Sequence, residues 1–398
     1  VAVEVYAASV ASDETSRAGP MLDWTVFGPA LRAPTGMPAA FRMPSRRPRL
    51  RDGVREPQTA YAAARGIRLG IGNTCRPQKR RKAANRCEER GPLTAKVVNE
   101  PRRHHYVPQW YLQRFADSRG FLHVYDTHTK TWRMQRPNKI MRINDYYRQS
   151  WAPEGTDPVQ LERFLGAELE PQGQQAIDKA LLGTGSLDAD ESAALLTYLE
   201  FQWMRVPRQA QRVKARLRAF VLEQAPPDIR EAVVSGRIGI HIEDFVRFDF
   251  FRDAMSSLSP YFMAMDWEVV ESDGEMPFIT TDSPVHFYNP EIPPPADAGV
   301  ALAGTDVLFP LTPNRLLMMR HPAYDNGELE ALDPITDLPE DVYIRVSRGR
   351  RMNREQVVRI NYVMLKLSHR TAVANDRKSI AACLEFAATG RSPKEPAD

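Results

Sequence analysis

From residue 101 onward the apolar positions recur at two different periods, and the switches between them divide the chain into elements. In "YVPQWYLQRFA", Val107, Tyr111 and Phe115 fall four apart, on one face of a short helix. Pro108 suits the first helical position, where a missing N–H costs nothing. After Gly120 the period drops to two. "FLHVYD" sets Phe121, His123 and Tyr125 on one side and Leu122 and Val124 on the other. "THTK" turns and "TWRMQ" returns, so a β-hairpin is expected over 121–135.

Helical periods follow. Residues 157–182 read as helix on both sides of Pro171, which should kink or break it. Residues 188–224 are the strongest helical stretch: Asp188 and Glu191 have capping-box spacing, Leu196, Leu199 and Trp203 share a face, and Pro207 interrupts. Residues 243–258 repeat the pattern with Phe245, Phe248, Phe251, Met255 and Leu258. Short β-rich segments return at 266–272, 277–282, 306–311 and 315–321, with proline-bearing loops between. A helix at 354–368, a strand at 371–375 and a helix at 376–388 end the pattern. Strand clusters separated by long helices, without regular βαβ alternation, predict an α+β fold. The expected architecture is mixed short strands and hairpins with a bundle of long helices.

The first hundred residues lack either period. They carry 18 Lys and Arg against 9 Asp and Glu, whereas the rest carries 36 against 41, and the whole chain has a formal net charge of +4. Only 5 of the 35 aromatic residues lie there. Such a segment buries too little surface to offset the entropy of ordering it. Residues 1–100 are therefore expected to be a disordered basic extension, 101–388 the folded domain, and 389–398 a charged tail. "RRPRLR" (Arg46 to Arg51) and "KRRK" (Lys79 to Lys82) allow weak nucleic-acid contact through phosphates. No interleaved aromatics support base stacking. The extension begins at Val1 and reads as arbitrary translated sequence, so an over-extended gene start, with the true start near Val97 or Val98, is an expectation that mass spectrometry of the native N-terminus checks.

Cys75, Cys87 and Cys383 show neither metal nor disulfide spacing. No apolar run approaches the roughly 18 residues of a membrane span, and no signal peptide is visible. A cytoplasmic protein without membrane contact is expected. There is no Walker loop, no G-x-G-x-x-G after a strand, and no H-E-x-x-H.

Three places carry candidate chemistry. His104 and His105 are adjacent on a strand, so they face opposite sides. One can act as base or metal ligand while the other anchors the strand. The pair resembles the opening of His-Me finger nucleases, with His123, His128, Asn138 and Asn144 placed to complete a finger around a divalent metal. The order counts against it, because a ββα-metal unit needs its helix after the hairpin and here the helix precedes. A structural histidine pair is the other reading. Arg205, in "FQWMRVPRQ", ends an apolar helix. It either complements the helix dipole or aims a guanidinium at a carboxylate or phosphate. "PFITTDSPV" ends in Asp282 and Ser283. Asp282 is a metal ligand or base, or else an Asx-turn stiffened by Pro284. Ser283 lacks a nucleophile elbow. The candidate catalytic residues are thus His104, His105 and Asp282, and the candidate substrate-binding residues Arg205, Gln109 and Ser283. Asn361, in "VRINYVML", is expected to make a structural hydrogen bond.

Four stretches taken together carry a resemblance: "HHYVPQWYLQRFAD" with "GFLHVYD", then "FQWMRVPR", then "PFITTDSPV", then "FPLTPNRLLMM". They look like the DUF4238 family, a bacterial family of uncharacterised function, over roughly Pro101 to Ala388. The resemblance implies that the stretches belong to one domain and brings no catalytic residues with it. Our own expectation is that His104, His105, Arg205 and Asp282 converge on one pocket. A binding or regulatory module is favoured, because no complete catalytic constellation is visible. The alternative is a metal-dependent nuclease or other phosphodiester hydrolase, with His104 or His105 and Asp282 as base or ligands and Arg205 as phosphate clamp.

Overall fold

The structure is a computed structural model that describes residues 5–7, 67–72, 102–148, 157–182, 187–242, 257–296, 298–321 and 344–389. The chain divides into two compact units, one of residues 1–81 with 224–241, the other of 82–223 with 242–398. In the smaller unit, strands Val5–Ala7 (β1) and Ile67–Gly72 (β2) pair in parallel, and Ile238–Ile242 (β7) completes a three-stranded sheet. Apart from those two strands, the extension expected over 1–100 lies outside the described residues, as does the tail 390–398.

The larger unit opens with Arg103–His105 (β3), antiparallel to Arg142–Asn144 (β6), His104 opposite Ile143. Strand alternation appears as expected: Arg103 is exposed, His104 buried and His105 half-buried. Pro108 has φ −58° and ψ 142°, so it caps the helix Gln109–Gln113 (α1) from one residue before its expected place. Its carbonyl accepts from Leu112 N–H at 3.1 Å. The helix buries Tyr111 and Leu112. The hairpin is Leu122–Asp126 (β4) with Thr131–Gln135 (β5), Tyr125 opposite Trp132. Asp126 closes its turn by accepting from His128 and Thr129 N–H at 3.1 and 2.9 Å.

Two sheets form the body. One has the order β5-β4-β14-β9, with β14 at Thr371–Ala374 and β9 at Thr280–Thr281. The other runs β10-β11-β12-β8-β13, from His286–Tyr288, Asp306–Thr312, Arg315–Arg320, Asp266–Ser272 and Val346–Met352 respectively. All its pairings are antiparallel except β8 with β13. Tyr111 ties the two sheets together, because its buried hydroxyl donates to Pro310 carbonyl on β11 at 2.7 Å and hydrogen-bonds Thr280 Oγ1 on β9 at 2.8 Å.

The helices are Gln160–Phe164 (α2), Glu170–Leu182 (α3), Ala189–Met204 (α4), Pro207–Gln224 (α5), Pro227–Val234 (α6), Ser259–Met263 (α7), Arg354–Leu367 (α8) and Arg377–Thr389 (α9). The architecture is α+β. Pro171 was expected to kink or break its helix, but α2 runs into α3 through one wide π-type turn, Leu165–Leu169, just before it. A π-turn gives up local i→i−4 pairing, which the proline cannot supply. Asp188 does form the capping box, accepting from Glu191 N–H at 2.9 Å while Glu191 Oε2 accepts from Asp188 N–H at 2.9 Å. The strand expected over 277–282 shrinks to Thr280–Thr281. The helix expected over 243–258 lies outside the described residues through 256. Among the described residues no helix is long and apolar enough to cross a membrane.

Candidate ligand pocket

His104 is an anchor. It is fully buried, its Nδ1 accepts from Tyr147 N–H at 3.0 Å, and its ring stacks on Tyr147 at 5.7 Å between centroids. An accepting Nδ1 puts the proton of a neutral ring on Nε2. His105 points the other way. Burial lowers its pKa, Arg142 and Arg205 lower it further, and Glu170 opposes them, so the imidazole is held neutral. Its Nε2 is enclosed by protein and has no hydrogen-bond partner.

Arg205 is the C-cap of α4, held at that point because Pro207 starts the next helix. Its guanidinium is turned inward and only 1% exposed. Nη1 donates to Glu170 Oε1 at 2.8 Å, Nε donates to Gln202 Oε1 at 2.8 Å, and Nη2 also reaches Gln202. Gln202 in turn donates from Nε2 to Tyr106 carbonyl at 3.1 Å, and Tyr146 hydroxyl donates to Arg205 carbonyl at 3.0 Å. Burial works against the charge, but Tyr147, Glu170 and Tyr198 outweigh it and hold the guanidinium protonated. The clamp therefore grips a carboxylate of this chain.

The π-turn brings a second carboxyl to the same place. Burial raises Glu162 to about 7, Glu170 adds to the shift and Arg205 opposes it. Gly173, on α3, permits the close approach of α3 to α4: a Cβ there would lie 2.5 Å from the Tyr198 ring. Tyr198 is 1% exposed and sits in the field of Arg205 and Glu170, with its hydroxyl within hydrogen-bonding reach of the Arg205 guanidinium. Trp110 lies against it at 5.7 Å between centroids, and the indole Nε1, like His105 Nε2, has no partner. Arg114 stands over the Trp110 ring at 5.1 Å. Two enclosed polar atoms, from β3 and α1, thus go unanswered near this ion pair.

Asp282 is held by the main chain. It is 1% exposed, and its carboxylate accepts from the backbone N–H groups of His369, Arg370 and Thr371 at 2.9, 2.8 and 2.8 Å. Burial raises it to about 6, against the pull of those donors and of Arg208. With most of its lone pairs occupied, it locks the loop after α8. Ser283 is buried beside it with its Oγ unpartnered, while its N–H donates to Thr281 Oγ1 at 3.1 Å. Gln109 is exposed on the first turn of α1. Asn361 clamps the segment before β9, accepting from Ile279 N–H at 3.1 Å and donating to Pro277 carbonyl at 2.8 Å.

Of the four residues expected to converge, His105 and Arg205 share one charged neighbourhood, to which Glu162, Glu170 and Tyr198 also belong, while His104 and Asp282 are each engaged by backbone N–H groups. The residues considered for a metal finger are scattered: His123 pairs with Met134 and Ala374 in the sheet, Asn138 is in a 3-10 turn, and Asn144 lies opposite Arg103. His128 lies edge-on to His369 at 6.3 Å. Among the described residues no group of three or more His, Cys, Asp or Glu side chains is placed to hold a metal ion. Sequence reasoning missed the two glutamates, since nothing in "ERFLGAELEP" separates an inward carboxylate from a solvated one.

The family model described as "Protein of unknown function (DUF4238)" matches residues 103–378. The chain belongs to this family. The DUF4238 match starts on β3 and ends in α9, so it takes in every residue of the pocket and leaves the basic extension outside. No curated protein and no solved structure matches the chain.

Proposed function

We propose that this DUF4238 domain is a binding module that takes a small, uncharged polar molecule beside the Arg205–Glu170 pair. The observation that carries the reading is the pair of enclosed polar atoms without partners, His105 Nε2 and Trp110 Nε1, beside the Tyr198 hydroxyl at Arg205. Native proteins leave few such atoms, since each costs about 1–3 kcal/mol when unanswered. Trp110 Nε1 can only donate, so the ligand offers it an acceptor. Tyr198 and His105 each accept or donate, which suits a hydroxyl, amide or carbonyl. Charge also argues for a neutral ligand. Arg205 is matched by Glu170, His105 is neutral, and Glu162 at about 7 is half protonated in neutral solution. The aromatic faces of Trp110 and Tyr198 suit a flat molecule.

The test is a thermal-shift and tryptophan-fluorescence survey of nucleosides, sugars and small amides. Wild type is compared with Trp110→Phe and His105→Gln. A compound that stabilises wild type and loses its effect in both variants supports the reading. If every compound acts equally on all three proteins, the pocket is filled by water and the reading fails. No observation in the pocket favours the phosphodiester-hydrolase alternative over binding.

A further inference from the structure

A second site lies across the Pro207 junction. On α5, Arg208, Gln211 and Arg212 fall at i, i+3 and i+4, on one face. They line a shallow, open surface cleft of about 380 Å³ bounded on its other side by the end of α8, with Lys366, Ser368 and His369. Every one of these six side chains can donate a hydrogen bond, three are permanent cations, and no carboxylate is among the described residues lining the cleft. We propose that this cleft binds a small molecule through a phosphate or diphosphate group.

The cleft is built. Arg208 is braced by donation to the carbonyl oxygens of Leu367 and, at 3.0 Å, Pro295. The loop that carries His369 is fixed from beneath by Asp282, which takes three of its backbone N–H groups. Gln211 Nε2 lies 3.5 Å from His369 Nε2. The positive field reaches its neighbours: burial and then Arg208 together lower the buried His286 to about 3, while His369 is lowered by burial and by His128, Arg208 and Arg370. α5 begins at Pro207, so the partial positive charge of its N-terminus lies at the Arg208 end of the wall. Guanidinium forks beside an ammonium and an imidazole match the oxygen array of a phosphate better than a single carboxylate.

Size and lining narrow the ligand. A cleft of about 380 Å³ is at the small end of sites for small molecules. No Trp, Tyr or Phe is among the described residues lining it to stack successive bases, so single-stranded nucleic acid fits it poorly. The site is independent of the pocket at Arg205, whose guanidinium is committed to Glu170 and Gln202.

Calorimetric titration of the full chain with pyrophosphate at low ionic strength tests the proposal. Arg208 is left intact, because its loss also removes a brace. Saturable 1:1 binding is expected, weakened about tenfold or more by Arg212→Ala and again by Lys366→Ala, the scale of one charge-assisted hydrogen bond each. Arg218→Ala, an exposed cation of α5 outside the lining residues, is expected to leave affinity within about twofold, as salt-screened surface charge does. Absence of saturable binding overturns the proposal, as does an equal loss in all three variants, the mark of a solvated basic face. A single-stranded oligonucleotide that binds tighter than pyrophosphate and loses affinity in the same two variants overturns the small-molecule assignment.

Discussion

Arg205 and Asp282 both arrive at the end of an element, both are about 1% exposed, and both carry a charge that a protein interior penalises. Their surroundings answer that charge differently. Asp282 is met by three backbone N–H groups from one loop. Arg205 is met by one carboxylate, one amide and the nearby Tyr198 hydroxyl, and two neighbouring polar atoms stay without partners. A charge answered by the backbone is architecture, since a small ligand cannot displace main chain without unfolding it. A charge answered by side chains, among unanswered atoms, has chemistry left over for something else.

The largest expected effect lies at Asp282. Asp282→Ala leaves three backbone donors unpaired, and a loss of about 4 kcal/mol in the denaturant midpoint is expected, at about 1–3 kcal/mol for each unmet donor. A loss below about 1 kcal/mol would show that the loop holds itself and that Asp282 is not its lock. The pH dependence sharpens the same point. The folded pKa of about 6 exceeds the ordinary 3.8, so the folded state binds the proton more tightly than the unfolded chain. That contribution to stability is complete below about pH 4 and is lost as pH rises through 6. The slope between those values is expected to be shallower in Asp282→Asn than in wild type.

Arg205→Met comes next. It strands Glu170, which is 20% exposed and so partly hydrated, and an expected loss of about 3 kcal/mol follows from breaking a buried pair from one side. Restoring neutrality with Glu170→Gln in the same chain should recover part of it, measured as a double-mutant cycle. No recovery would mean that the pair is not the partner that holds Arg205.

These two regions also divide what the sequence makes legible. Strand alternation is local, so the split between His104 and His105 could be read directly, and so could the Asp188–Glu191 cap and the Pro207 break. The π-turn before Pro171 could not, and it decides that Glu162 and Glu170 share a space. Asp282 finds its donors 87 to 89 residues further on, beyond any local pattern. β13 escaped for another reason. "VSRGRRM" is an edge strand with exposed arginines, and edge strands use charge in place of an apolar alternation.

Smaller effects test the leftover chemistry. Glu162 titrates near 7 against an ordinary 4.5, so its contribution to stability is complete below about pH 4.5 and lost as pH rises through 7. Glu162→Gln removes that loss. The variant is expected to melt at a higher temperature than wild type at pH 8, with the gap narrowing towards pH 5. An unchanged gap across that range would mean that Glu162 is hydrated and lies outside the pocket.

The smallest expected effect decides most about ligand binding. Tyr198→Phe removes a buried hydroxyl whose neighbour, the Arg205 guanidinium, is already met by Glu170 and Gln202, so little is left to lose: a change within about 0.5 kcal/mol is expected, the low end of the roughly 0.5–1.5 kcal/mol of a made hydrogen bond. The measurement is the denaturant midpoint without ligand. A loss above about 1.5 kcal/mol would mean that the hydroxyl is bonded within the fold, most directly to Arg205 beside it, and the pocket would then be as saturated as the loop at Asp282. A null result in stability, joined to loss of a ligand's thermal shift in the same variant, is the combination that only a binding role produces, because a structural hydroxyl would have to register in the first measurement.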